Sequence, residues 1–139
     1  VRIQEGIMVI LKREFSFDAA HYLPDYHGKC ERLHGHTYKA AIFVEGPPDE
    51  EGMVMDFVEL KGLVKERILS KLDHSCLNDV IKRPSAEYIA LWIWGEMEPH
   101  INAGKRRLKY VQVWESPGSS VIIDENDFEN FRGLLEAVS

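Results

Sequence analysis

Cysteine is scarce in this chain. Cys30 and Cys76 are the only two in 139 residues, too few for the disulfide framework of a small secreted domain. An excess of positive charge is missing as well: 17 Lys and Arg stand against 23 Asp and Glu, a net charge of −6. That balance speaks against a protein whose task is to neutralise nucleic-acid phosphates. No apolar run approaches the roughly 20 residues of a membrane span, and the N-terminus has no signal-peptide layout. Met8 is read as an alternative start, with residues 1–7 adding little to the fold. Linkers rich in Gly and Pro, internal repeats and low-complexity tracts are also absent. A single domain over 1–139 is therefore expected, with a core at about 9–123 and a C-terminal extension at 124–139. The expected setting is a reducing cytoplasm, with no nucleic-acid and no membrane partner.

What is present is strong patterning. Val9, Leu11, Phe15 and Phe17 alternate with polar residues, the mark of a strand with one buried face, and His21 shares their parity. After a turn-rich segment at 23–29, a second strand places His34, His36, Tyr38, Ala40, Ile42 and Val44 on one face. Gly46-Pro47-Pro48-Asp49 ends it, and Met53-Val54-Met55 is read as the antiparallel return. Asp56 caps a helix in which Phe57, Leu60, Val64, Ile68 and Leu72 recur. A loop at 73–83 follows, then a second helix capped by Ser85, with Pro99 marking its end. Strands at 110–115 and 120–123 and a short amphipathic helix from Asp127 complete the chain. Paired strands with two long helices between them predict an antiparallel α+β sheet with its helices on one face.

Several residues on this frame carry chemistry. Two positions apart on a strand, His34 and His36 point the same way, separated by roughly 6.6–6.8 Å of rise. Two imidazoles on an apolar face need partners for their ring nitrogens, and a metal ion or ordinary hydrogen bonds at the strand end would each supply them. His21, at the end of the neighbouring strand, strengthens the metal reading. Three histidines with an open fourth position form a catalytic zinc site, whereas closed structural sites favour cysteine, and Cys30 and Cys76 lack Cys-x-x-Cys spacing.

Cys30 precedes His34 by four residues and is either a reactive thiol or an incidental one; Cys76 is read as a filler. Asp73-His74 suits a proton relay or simply a polar helix end. Glu87 lies where a helix dipole favours an acid in any case. Glu115 shares a face with Val111 and Val113, and an acid there needs a partner. Either glutamate could accept a two-point hydrogen bond from a guanidine-like edge.

Taken together these residues resemble the 6-pyruvoyltetrahydropterin synthase/6-carboxytetrahydropterin synthase family. The matching blocks are Phe17-Asp18-Ala19-Ala20-His21, Gly28-Lys29-Cys30 through Tyr38, and Gly52-Met53-Val54-Met55-Asp56-Phe57. Further along come Leu72-Asp73-His74 with Leu77-Asn78, Pro84-Ser85-Ala86-Glu87 and Val113-Trp114-Glu115-Ser116-Pro117. The resemblance implies a T-fold, an antiparallel sheet backed by two helices, assembled into barrels as a homohexamer (a dimer of trimers). It implies zinc on His21, His34 and His36, and Cys30 as the proton-abstracting thiol. His74 oriented by Asp73 joins the relay, and Glu115 serves the relay or the pterin site. Glu87 with Ser85 implies the anchor for the pterin's 2-amino-pyrimidinone edge.

The implied activity is that of a zinc-dependent lyase acting on 7,8-dihydroneopterin triphosphate. The spacing Cys-x-x-x-His-Gly-His is similar to the 6-carboxytetrahydropterin synthase branch, which releases acetaldehyde and triphosphate on the route to 7-deazapurine nucleosides such as queuosine. Two alternatives stand beside it: pyruvoyltetrahydropterin formation, and a non-catalytic, zinc-stabilised pterin-binding protein. A related branch making a hydroxymethyl pterin carries Glu at the position of Cys30. Tyr88, where Asn is common, and the tail after Ile123 depart from the family pattern.

Overall fold

The computed structural model describes residues 6–24 and 32–138, the last four of these as backbone only. Strand β1 (Val9–His21) and strand β2 (His34–Gly46) pair antiparallel along their whole length, in a register that sets His21 opposite His34 and Phe17 opposite Tyr38. β2 pairs on its other side with β4 (Arg107–Ser116), which turns into β5 (Ser119–Ile123). A two-residue strand β3 (Ser75–Cys76), read from the sequence as loop, lies parallel to the last residues of β1 and completes the order β3-β1-β2-β4-β5.

Helices cover one face of this sheet. α1 (Phe57–Val64) starts at Asp56, whose side chain accepts from the Val58 N–H at 2.8 Å. It runs through a π-helical turn (Lys65–Leu69) into α2 (Ser70–Leu72). The reason is in the sequence spacing. Leu60, Val64, Ile68 and Leu72 recur every fourth residue and are all buried. In a regular α-helix each such step overshoots by about 40°. The wider turn takes up that drift, so one face stays on the core.

α3 (Ala86–Ile101) buries Ile89, Ile93, Trp94 and Met97 against the sheet. Ser85 caps it as expected, but Pro99 lies inside the helix, which ends at Asn102. α4 (Glu125–Val138) packs against α3 and β4, a third helical layer where the sequence predicted a short tail helix. Among the described residues no helix is long and apolar enough to cross a membrane.

One expectation is corrected: Met53–Met55 is not a strand. The Asp49 carboxylate accepts the N–H groups of Glu51 and Met53 at 2.9 and 3.0 Å, and Gly52 adopts φ +83°. This closes a turn, from which Met55 drops into the core.

Candidate metal centre and active site

The β1–β2 register brings three histidines together at one end of the sheet, on the same face as the core. His21 and His34 are direct cross-strand partners and His36 stands opposite Ala19. His21 is fully buried; its Nδ1 donates to the Pro84 carbonyl at 2.7 Å. The Nδ1 of His34 donates to the Arg32 carbonyl at 2.6 Å. A carbonyl can only accept, so each Nδ1 carries a hydrogen, and in the neutral ring Nε2 is then the lone-pair nitrogen. Those two Nε2 atoms are 3.0 Å apart. Among the described residues the Nε2 of His36 is buried without a hydrogen-bond partner, 3.5 Å from Glu115 Oε1.

This arrangement fits a divalent metal ion. One ligand nitrogen from each ring lies within 4.8 Å of the others. A tetrahedral centre with metal–nitrogen bonds of ~2.0–2.1 Å sets its nitrogens roughly 3.3 Å apart, close to the His21–His34 separation. Imidazole suits zinc and its transition-metal neighbours, and carbonyls behind Nδ1 fix the ligating tautomer. Burial holds the pKa of His21 below its ordinary 6.5, with His34 and His36 adding to the effect and the Pro84 carbonyl and Glu115 opposing it. The neutral, ligating form is thereby favoured.

A second cluster adjoins the first. Asp73 and His74 follow α2 directly, with His74 Nδ1 3.1 Å from Asp73 Oδ1. His74 takes φ +58°, a left-handed conformation uncommon outside glycine. Main-chain contacts with β1 hold it there. The His74 N–H donates to the Asp18 carbonyl at 2.6 Å, and the Asp18 N–H donates to Asp73 Oδ1 at 3.0 Å. His36 and His74 both line an open cavity of about 540 Å³ at this end of the sheet. His74 borders that space, whose lining also includes Asp18, Ala20, Gly35 and Thr37, the positions of β1 and β2 that alternate with those of the three histidines.

Other expected site residues are placed less tightly. Glu115 joins the His cluster through His36. Ser85 accepts the Tyr88 N–H at 3.2 Å as the cap of α3, next to the Pro84 that holds His21. Glu87 is exposed on the first turn of α3. Cys30 lies outside the described residues.

Sequence reasoning missed three supports. Thr37 donates to Asp18 Oδ1 at 2.6 Å, across the register pair Asp18–Thr37. Asn78 clamps Tyr22 by both its amide groups, accepting from the N–H at 3.0 Å and donating to the carbonyl at 2.9 Å. The third is the Pro84 carbonyl itself. Thr37 and Asn78 fall within the blocks quoted above, but without the register nothing assigned them partners.

Comparison with known proteins agrees with this geometry. A family model described as 6-pyruvoyl tetrahydropterin synthase matches residues 10–126. A Synechocystis protein named 6-carboxy-5,6,7,8-tetrahydropterin synthase is 41% identical over 116 residues, covering 78% of this chain and 88% of its own. A Pyrococcus furiosus protein named dihydroneopterin monophosphate aldolase is 40% identical over 100 residues, 72% of this chain and 83% of its own. Among solved structures, Caenorhabditis elegans 6-pyruvoyl tetrahydropterin synthase superposes with a TM-score of 0.76 at 24% identity, covering 85% of this chain and 96% of that one. That last likeness concerns the fold.

Proposed function

This chain belongs to the 6-pyruvoyl tetrahydropterin synthase family, and from that premise we propose that it is a zinc-dependent 6-carboxy-5,6,7,8-tetrahydropterin synthase. With one water it converts 7,8-dihydroneopterin triphosphate to 6-carboxytetrahydropterin, acetaldehyde and triphosphate, a carbon–carbon lyase reaction on the route to 7-deazapurine nucleosides. The observation that carries this reading is the histidine cluster, in which one ligand nitrogen from each of His21, His34 and His36 lies within 4.8 Å of the others, with the Asp73–His74 pair tied to the same end of β1 through Asp18.

His21, His34 and His36 hold the zinc in this reading. When bound, zinc supplies Lewis acidity that makes side-chain oxygens and the adjoining C–H more acidic. The remaining work falls to the chain. Cys30 takes the proton from carbon. His74, oriented by the Asp73 carboxylate 3.1 Å away, holds a proton and passes it on at Nε2. Glu87 and Ser85 grip the amino-pyrimidinone edge of the pterin, a donor pair that a carboxylate matches in two-point fashion. Glu115, 3.5 Å from His36, serves the relay or the pterin site.

The reading includes a homohexamer in the cytoplasm. One edge of β1 supports assembly: among the described residues, only Ala19 and Ala20 find a strand partner on the side away from β2. Ile7, Met8, Val9 and Ile10 are exposed at its start. Such an open edge is a template for a neighbouring chain.

The test is product analysis. Zinc-loaded protein incubated with 7,8-dihydroneopterin triphosphate is expected to yield acetaldehyde and the carboxy pterin. A dominant pyruvoyl product would move the protein to the pyruvoyl branch, and no turnover at all would favour a pterin-binding role. The Pyrococcus furiosus relative favours a second reading, aldolase cleavage to a hydroxymethyl pterin. Cys30 in place of Glu argues against it, and the same product analysis decides.

A further inference from the structure

Helix α4 begins at Glu125, and the family match ends at residue 126. It is nevertheless firmly built. Asp124 and Asp127 exchange N–H to carboxylate hydrogen bonds, both 3.0 Å, at its start. Phe128 stacks on Trp94 with ring centroids 6.3 Å apart, and reaches so close to Gly95 that a Cβ there would lie 3.3 Å from the ring. One turn further on, Phe131 meets Tyr88 at 5.3 Å.

Tyr88 follows Glu87 in the first turn of α3. Within that turn Glu87 and Tyr88 are exposed, while Ala86 and Ile89 are buried. Next to the Tyr88–Phe131 pair is an open, largely apolar pocket of about 330 Å³, lined also by Val80, Ile81, Lys82, Arg83 and Trp92. An open pocket gives the Tyr88 ring little packing of its own. The ring that α4 presents to Tyr88 therefore carries a larger share of what fixes the exposed side of this turn.

We infer that α4 is a brace for the first turn of α3, and that Phe131 is a positioning residue acting through Tyr88 on Glu87. The inference rests on the reading of Glu87 as the pterin anchor. It assigns a part in ligand binding to a helix that lies almost wholly beyond the family match.

The experiment uses the zinc-loaded, full-length chain. The Kd for 7,8-dihydroneopterin is titrated by fluorescence and kcat is measured on its triphosphate, for Phe131→Ala, Tyr88→Ala and the double variant. Each single change is expected to weaken binding about fivefold to tenfold with kcat and zinc content unchanged, and the double change is expected to be no worse than either, as for residues acting through one contact. Phe131→Leu should restore most of the affinity. Leu134→Ala, an exposed position on the same helix, should leave Kd and kcat as they are. Unchanged Kd in Phe131→Ala, or effects that multiply in the double variant, would overturn the brace. Glu87→Gln separates the two levels of argument. If it weakens binding while Phe131→Ala does not, the brace alone falls. If Glu87→Gln binds normally, the anchor reading falls and takes the brace with it.

Discussion

His21 and His34 face each other across β1 and β2 with their Nε2 atoms 3.0 Å apart, and each ring's Nδ1 hydrogen is held by a main-chain carbonyl. Two lone pairs at that separation repel unless a cation lies between or beside them. The fold thus builds a place for positive charge before any ligand arrives, and His36 adds a third donor to it.

Removing one donor should therefore empty the site. His34→Ala and His36→Ala are each expected to lower metal affinity by at least tenfold to a hundredfold, since even the loss of a supporting partner costs on that order. Metal analysis after dialysis against a weak chelator checks this. Retention of a full metal complement by both variants would show that the cluster is not the binding site.

Metal-free protein should lose stability in mild acid. The pKa of His21 is held below 6.5, chiefly by burial, so below pH 6.5 the unfolded chain binds the proton before the folded chain does. Stability then rises with pH across that window and flattens above it. Urea midpoints from pH 5 to 8 in the presence of chelator read the slope. His21→Gln should flatten it, and a midpoint rising toward acid would contradict the assignment.

His74 offers a separation of folding from chemistry. Asn tolerates the left-handed conformation that His74 adopts at φ +58°, so His74→Asn should fold normally. Loss of a proton-transfer group costs about 10²–10⁴ in rate. Thermal melting and kcat, measured side by side, should show an unchanged midpoint with turnover reduced by that range; normal turnover would remove His74 from the relay.

Ile42 tests the frame rather than the site. It is fully buried at the middle of β2, so Ile42→Ala should destabilise the protein by about 2–5 kcal/mol. Denaturant unfolding would show the drop, with metal binding intact in the fraction that remains folded.

Much of this molecule was legible in its residues. The alternation of β1 and β2 predicted strands whose shared parity set Phe17, His21, His34 and His36 on one face, and Asp56 and Ser85 announced their helices. The metal centre could be read because histidine on an apolar face is chemically conspicuous. Other features leave no such trace. A main-chain carbonyl such as that of Pro84 looks the same in any sequence, and the Asp18–Thr37 hydrogen bond exists only once the register is known. Met53–Met55 misled because a short apolar run has no period of its own, and the Asp49 side chain turned it into a closed loop. The two-residue β3 is too short for any pattern to declare it.

The π-helical turn at Lys65–Leu69 makes the first helix carry a surplus residue. Deleting a single position there would let the helix relax to its ordinary pitch, with Leu60 and Val64 still seated. Ile68, Leu72 and the Asp73–His74 pair beyond them would keep their bearing, because the wide turn is where the extra residue is absorbed. The alignment of the dyad with β1 is thus insulated from the residue count at this point, and a chain one position shorter there would keep both scaffold and site.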